Sequence, residues 1–209
     1  MRVEHVEILV EEPSMETALR LLLPKIVGKL SFEIYPHQCK QDLLDRLPDR
    51  LRGYRQWLPE NWRIVVLLDC DNDDCHQLKN RMEQAAIFAG LRTKSTIHLG
   101  PYMVVNRLAI EELEAWYFGD WNAVCAAFPR VPLRIPYKAK YRDPDVIQGG
   151  TWEAFERILK RAGFFAGGLR KIEAARAIAR HMVPENNKSK SFQVFHSALK
   201  EMMPENGNR

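Results

Sequence analysis

Along the first hundred positions, apolar residues fall into short, almost unbroken runs separated by amphipathic stretches. Residues 3–10 and 63–68 are rich in Val, Ile and Leu, 31–36 is a shorter run closed by Pro36, and 91–98 follows the stop signal of Gly90. Runs of this kind predict strands buried on both faces, as in a parallel sheet. Between them, 14–29, 40–57 and 74–89 have helical spacing. Leu43, Leu44, Leu47, Leu51 and Tyr54 make one apolar face, and Leu78, Met82, Ala85, Ala86 and Ala89 another. Ser14 is the expected N-cap of the first helix, and Pro48 is expected to kink or split the second. The order β-α-β-α-β-α-β with right-handed crossovers predicts an α/β three-layer sandwich around a mostly parallel four-stranded sheet. In a doubly wound order the first strand lies beside the third.

Beyond residue 100 the pattern changes. Residues 103–105 read as a further short strand and 110–118 as a helix with a carboxylate face. The stretch 129–150 carries Pro129, Pro132, Pro136, Pro144 and the pair Gly149-Gly150, which predicts a long irregular loop of a type that is often functional. Helices are expected at 151–162, 170–182 and 190–202, with 204–209 frayed. In 170–182, Ile172, Ala175, Ile178 and Met182 form the expected buried stripe, with Arg176 and Arg180 outside. The organisation expected is a core of 1–128 and, packed on it, a loop and helical C-terminal extension of 129–209.

Two of the predicted strands stop abruptly in acids. Val6-Glu7-Ile8-Leu9-Val10 runs into Glu11-Glu12, and Ile64-Val65-Val66-Leu67-Leu68 into Asp69-Cys70-Asp71-Asn72-Asp73-Asp74. Parallel sheets present ligands at the carboxyl ends of their strands, so these acids are expected to converge. Converging carboxylates repel one another unless a cation joins them, and hard oxygen donors favour Mg²⁺ or Mn²⁺. The proposed ligand set is Glu11, Asp69, Asp71 and Asp73. Glu111 and Glu114, three apart on the helix expected over 110–118, could hold a second ion. An EF-hand is excluded, because its sixth position would be Asp74 rather than Gly and its twelfth Asn80 rather than Glu. A phosphoaspartyl-transfer enzyme also places Asp-x-Asp after a strand, but leaves Glu11 unexplained.

Composition narrows the class without naming it. The chain of 209 residues is 46% apolar and 28% charged, which is ordinary for a globular protein. No apolar stretch approaches the roughly 18 residues that span a bilayer, and residues 1–5 do not open a secretory signal, so a cytoplasmic location without membrane is expected. Cys39, Cys70, Cys75 and Cys125 lack the paired spacing of a zinc ribbon, and buried or incidental thiols are expected. His37, His76, His98 and His181 are isolated and read as structural or surface residues. Trp116, Tyr117, Trp121 and Trp152 read as core anchors rather than base-stacking platforms.

The net charge of +4 is unevenly spread, since residues 130–209 hold 16 Lys and Arg against 8 Asp and Glu. An acidic site with a basic flank suits a protein that handles phosphodiesters. Lys138, Lys140, Arg142, Arg176 and Arg180 are the expected nucleic-acid contacts, against the plainer reading of a solvated basic surface.

The strand ending in Val10-Glu11-Glu12 with Pro13-Ser14-Met15-Glu16, followed by Leu68-Asp69-Cys70-Asp71, resembles the TOPRIM domain of topoisomerases, primases and OLD-family nucleases. Glu12 stands where that pattern has glycine. With Asp73-Asp74-Cys75, Lys79, Ile110-Glu111-Glu112-Leu113-Glu114-Ala115-Trp116, Arg170-Lys171 and Ser191-Phe192, the chain also resembles a bacterial family catalogued as domain of unknown function 4276. The resemblance implies a TOPRIM-like sheet, a Mg²⁺- or Mn²⁺-dependent nuclease acting on DNA or RNA, and a neighbouring ABC-type ATPase in an OLD-like anti-phage system. It also implies catalytic roles for Glu11, Asp69 and Asp71, and charge neutralisation at the scissile phosphate by Lys171. Two other readings stay open: a noncatalytic partner or sensor subunit of an ATPase complex, and a phosphohydrolase of small substrates.

Overall fold

The computed structural model describes residues 2–99 and 101–202. The elements are β1 (His5–Val10), α1 (Pro13–Val27), β2 (Ser31–Pro36), α2 (Lys40–Trp57), β3 (Trp62–Asp69), α3 (Cys75–Phe88), β4 (Val104–Ala109), α4 (Leu113–Gly119), α5 (Trp121–Ala127), α6 (Thr151–Arg161), α7 (Lys171–Ala179) and α8 (Lys190–Lys200). The four strands are all parallel, in the order β2-β1-β3-β4. β1 therefore lies beside β3, as the doubly wound reading requires.

Side-chain alternation along the central strands separates two cores. Val6, Ile8 and Val10 of β1 and Val65 and Leu67 of β3 face α1 and the later helices, whereas Leu9, Ile64, Val66 and Leu68 face α2 and α3. This is the period of two expected of strands covered on both sides. The first core is the larger because α4, α6, α7 and α8 all add to it: Trp116 stacks on Phe195 and meets Phe192 edge to face, and Tyr117 packs on Phe155. One continuous core thus draws on both sides of residue 128.

Several expectations are corrected. The fourth strand is β4, not 91–98: only Thr93 bridges to it, and residues 94–99 turn as a 3₁₀ segment. The polar Thr93, Ser95 and Thr96 bond to one another and to Glu83 rather than extending a ladder. The strand read at 103–105 is instead the start of β4. Glu12, not Ser14, holds the N-cap position of α1, because Pro13 can enter only at a helix's first turn. Pro48 lies inside α2 without dividing it. The helix read at 110–118 begins at Leu113, since Glu111 adopts a left-handed φ of 60°. The loop 129–150 contains three 3₁₀ turns. Ile172 is 45% exposed, leaving Ala175, Ile178 and Met182 as the buried stripe of that segment. Cys70 and Cys75 form a disulfide, where free thiols were expected. The tail 204–209 and the His98 side chain lie outside the described residues.

Candidate functional site: acids at the carboxyl edge of the sheet

Each acid reaches the site through the local structure that precedes it. Asp69 is the last residue of β3 and, by strand alternation, follows Val65 and Leu67 toward the larger core; it is 4% exposed. Its backbone N–H donates to Glu11 Oε2 at 3.2 Å, tying the end of β1 to the end of β3. The next two residues are laced to the end of β4: Cys70 N–H donates to the Ala109 carbonyl at 2.8 Å, and Asp71 N–H to the Glu111 carbonyl at 2.7 Å. Asp71 and Glu111 both hold left-handed φ angles, 48° and 60°. Such conformations are costly for residues with a Cβ and concentrate where a loop is held for a purpose. Glu114 then enters from the first turn of α4, 2% exposed.

Two cations divide the acids between them. Lys40, the first residue of α2, sits 2.5 Å from Asp71 and 2.7 Å from Asp73, and also donates to the Cys70 carbonyl at 3.2 Å. Burial works against its charge, but the two carboxylates outweigh it and raise its pKa. Lys171, the first residue of α7, stands 3.6 Å from Glu12. Burial again opposes the charge, while Glu114, Glu12, Asp69 and Glu112 raise its pKa. Glu12 is in turn held by the Ser14 hydroxyl, and Glu112 accepts from Thr151 Oγ1 and Trp152 N–H, both at 2.9 Å.

The deepest acids keep a high proton affinity. Burial, then the charges of Glu11, Glu114, Glu12 and Asp71, hold Asp69 well above the usual carboxylate range. Glu114 is pushed up to about 7 by burial, against the pull of Lys171. Glu11 also reaches about 7, through burial and then Asp71. Three buried oxygens here have no hydrogen-bond partner: Asp69 Oδ1, Glu114 Oε2 and the Tyr117 hydroxyl. They belong to one electrostatic neighbourhood, because Glu114, Glu12 and Asp69 all act on Tyr117.

The structure thus gathers Glu11, Asp69, Asp71, Glu114 and Lys171. It does not draw in every predicted residue. Asp73 is exposed and committed to Lys40. Glu111 precedes α4 and so shares no helix face with Glu114, although its pKa is raised by burial and then by Glu112, Asp71 and Glu153. Arg142 lines one groove and Lys138 and Lys140 another, and neither has Glu11, Asp69, Asp71 or Glu114 in its walls. Arg176 and Arg180 are exposed on and beside α7. Sequence reasoning missed Lys40, Glu12, Glu112 and Tyr117. Lys40 was findable, since it opens the helix after β2 and so belongs to the same carboxyl edge; the Tyr117 pairing needs the packed helices.

The donor set fits a hard divalent cation, being carboxylate oxygens of which two are buried and unpartnered. The acids are gathered but not closed into a cage: among the described residues, no three His, Cys, Asp or Glu side chains stand arranged to hold an ion.

The fold and site define an α/β protein with a buried acidic pocket at the carboxyl edge of an all-parallel sheet. The chain belongs to the family described as Domain of unknown function (DUF4276), whose model matches residues 10–200. Among solved structures, the C-terminal region of the Xanthomonas campestris pv. campestris OLD protein is similar to it, with 16% identity, 94% of each chain covered and a TM-score of 0.41. No curated protein matches. No helix of the described residues is long and apolar enough to cross a membrane.

Proposed function

We propose that this chain is a Mg²⁺- or Mn²⁺-dependent nuclease that hydrolyses phosphodiesters of DNA or RNA, working with an ABC-type ATPase in anti-phage defence. The observation that carries the chemistry is the set of unpartnered buried oxygens, Asp69 Oδ1 and Glu114 Oε2, beside Glu11 and Lys171. Leaving two such carboxylates unsatisfied is costly unless a ligand completes them. The ATPase partner and the defence role rest on the sequence resemblance alone.

Asp69, Glu11 and Glu114 are the residues that would hold a metal ion, with Asp71, now paired with Lys40, acting on Glu11 beside them. When bound, such an ion polarises the phosphate and makes water acidic enough to attack near neutral pH. Glu11, tied to the end of β3 by the Asp69 N–H, would complete the ion's shell or accept a proton from the attacking water. Lys171 offsets negative charge on the Glu114 side of the pocket. Lys40 fixes the loop of Asp71 and Asp73 against α2, so that the acids stay gathered without an ion.

The test is to offer single- and double-stranded DNA and RNA to the purified chain with Mg²⁺ or Mn²⁺, alone and with the proposed ABC-type ATPase partner, while measuring Mn²⁺ binding by calorimetry. Wild type is expected to bind Mn²⁺ and cleave, and Asp69→Asn and Glu114→Gln to lose both while staying folded. Cleavage and Mn²⁺ binding at wild-type level in both variants would remove the assignment.

A further inference from the structure

We propose that a second site, the groove at the far end of α4, binds a nucleotide unit, with its base against Tyr137 and its phosphate between Arg142 and Lys188. The groove encloses about 570 Å³ between the α4–α5 junction, the loop 133–144 and the segment before α8. That size lies in the range of small-ligand sites. Its wall combines exposed apolar surface with unpaired positive charge. Tyr137 is 78% and Leu133 64% exposed, while Arg142 and Lys188 form no ion pair among the described residues. The carboxylate in the wall, Asp120, is buried, turns its oxygens to the backbone N–H groups of Ala123 and Val183, and forms no ion pair with either cation among the described residues.

An aromatic face beside two free cations is complementary to a planar base carrying a phosphate. Stacking serves any base, and the cations hold the anion. Asn122 and Asn186 add carboxamides able to meet base edges. The groove is rigid where it matters. Gly119 brings α4 so close to the segment 187–189 that Lys188 N–H donates to the Gly119 carbonyl at 2.9 Å, while Phe118 stacks on Tyr141 and Trp121 behind the opening.

The acids lie at the other end of the same helix, since Glu114 stands in the first turn of α4 and Gly119 closes it, about 7–8 Å apart along the axis. On the nuclease reading, and resting on it, an unpaired strand passing the acids has neighbouring nucleotides within reach of the groove. The binding itself does not depend on that reading.

The test is metal-free binding, in EDTA, of fluorescent AMP and of a fluorescent single-stranded oligonucleotide, followed by anisotropy. The oligonucleotide is expected to bind with an affinity that falls as salt rises, and Tyr137→Ala or the pair Arg142→Ala/Lys188→Ala to weaken it roughly tenfold. Gln56→Ala, exposed on α2 across the sheet from the groove, should bind as wild type does. Comparable binding of AMP would mark the source as a free nucleotide; binding of the oligonucleotide alone would mark it as a strand. If neither probe binds, or if all groove variants bind like wild type, the site is wrong. Binding of a probe by a wild-type chain that cleaves no nucleic acid with Mg²⁺ or Mn²⁺ would count against the nuclease reading only.

Discussion

At the scale of the residue, burial raises the proton affinity of Glu11, Glu114 and Asp69 together, and this sets how the protein responds to pH. Glu11 and Glu114 are raised from an ordinary value of 4.5 to about 7. Below pH 4.5 both are protonated in folded and unfolded chains alike. Between 4.5 and 7 the unfolded chain releases its protons while the folded one retains them, so the stability these groups provide is lost as pH rises through that window. Melting of the metal-free protein should therefore move to lower temperature across pH 4.5–7, and Glu114→Gln should melt about 2–8 °C above wild type at pH 8. A lower melting temperature for that variant would mean that Glu114 is compensated in a way the pocket does not reveal. The same protons compete with a metal, so Mn²⁺ affinity should rise about ten- to a hundredfold from pH 6 to pH 8. Calorimetry at the two pH values decides it, and a flat profile would count against Glu11 and Glu114 as ligands. Asp69 and Glu11 were legible as site residues because each follows an apolar run. Glu12 was not, because the pattern there led to a missing glycine rather than to a carboxylate facing Lys171.

At the scale of the element, α4 links everything that bears on function. Its first turn delivers Glu114, its middle buries Trp116 and Tyr117, and its last residue, Gly119, touches the segment before α8. A Cβ on Gly119 would run into the Asn187 carboxamide and stand 2.8 Å from Ser189 N. Asn187 cannot simply turn aside, since its Nδ2 donates to the Trp116 carbonyl at 2.9 Å and its Oδ1 accepts from Ser189 N–H. Gly119→Ala should thus cost about 1–3 kcal/mol, lowering the urea midpoint without changing the slope. An unchanged midpoint would mean that this contact gives way easily. Helix periodicity found α2 and α3 almost residue for residue, because each presents one buried face to a flat sheet. It misplaced the start of α4, because the turn at Glu111 depends on a hydrogen bond from Asp71, forty residues earlier in the chain. It took 91–98 for a strand, because a glycine stop followed by β-branched Thr93, Thr96 and Ile97 does not tell a ladder from a hydroxyl-bonded turn.

At the scale of the whole molecule, the question is whether the C-terminal part is an attachment or half of the site. Lys171 reaches the acids from α7, Thr151 and Trp152 hold Glu112 from the start of α6, and Phe155, Phe192 and Phe195 pack on α4. Ending the chain after residue 128 should therefore abolish cooperative unfolding, checked by calorimetry; a sharp transition in that fragment would establish an independent first domain. The basic flank divides in the same way. Lys171→Ala should impair cleavage more than binding, whereas neutralising Lys138, Lys140 and Arg142 together should weaken binding and flatten its salt dependence. Equal effects on both quantities from both variants would dissolve the distinction.

The sequence by itself determined the alternation of strands and helices, the parallel sheet, and the ending of two central strands in acids. Those features follow from local periodicity and from the short list of topologies that a right-handed parallel sheet permits. Glu114 and Lys171 were candidates from the sequence, but that they meet Asp69 beside Tyr117, and that Lys40 holds Asp71, follows from the packing of distant segments. Only the tertiary structure decided that Lys138, Lys140 and Arg142 belong to other grooves. The reason is physical: a strand end or a helix face is written in neighbouring residues, whereas the charge a buried carboxylate meets depends on which distant helix packs above it.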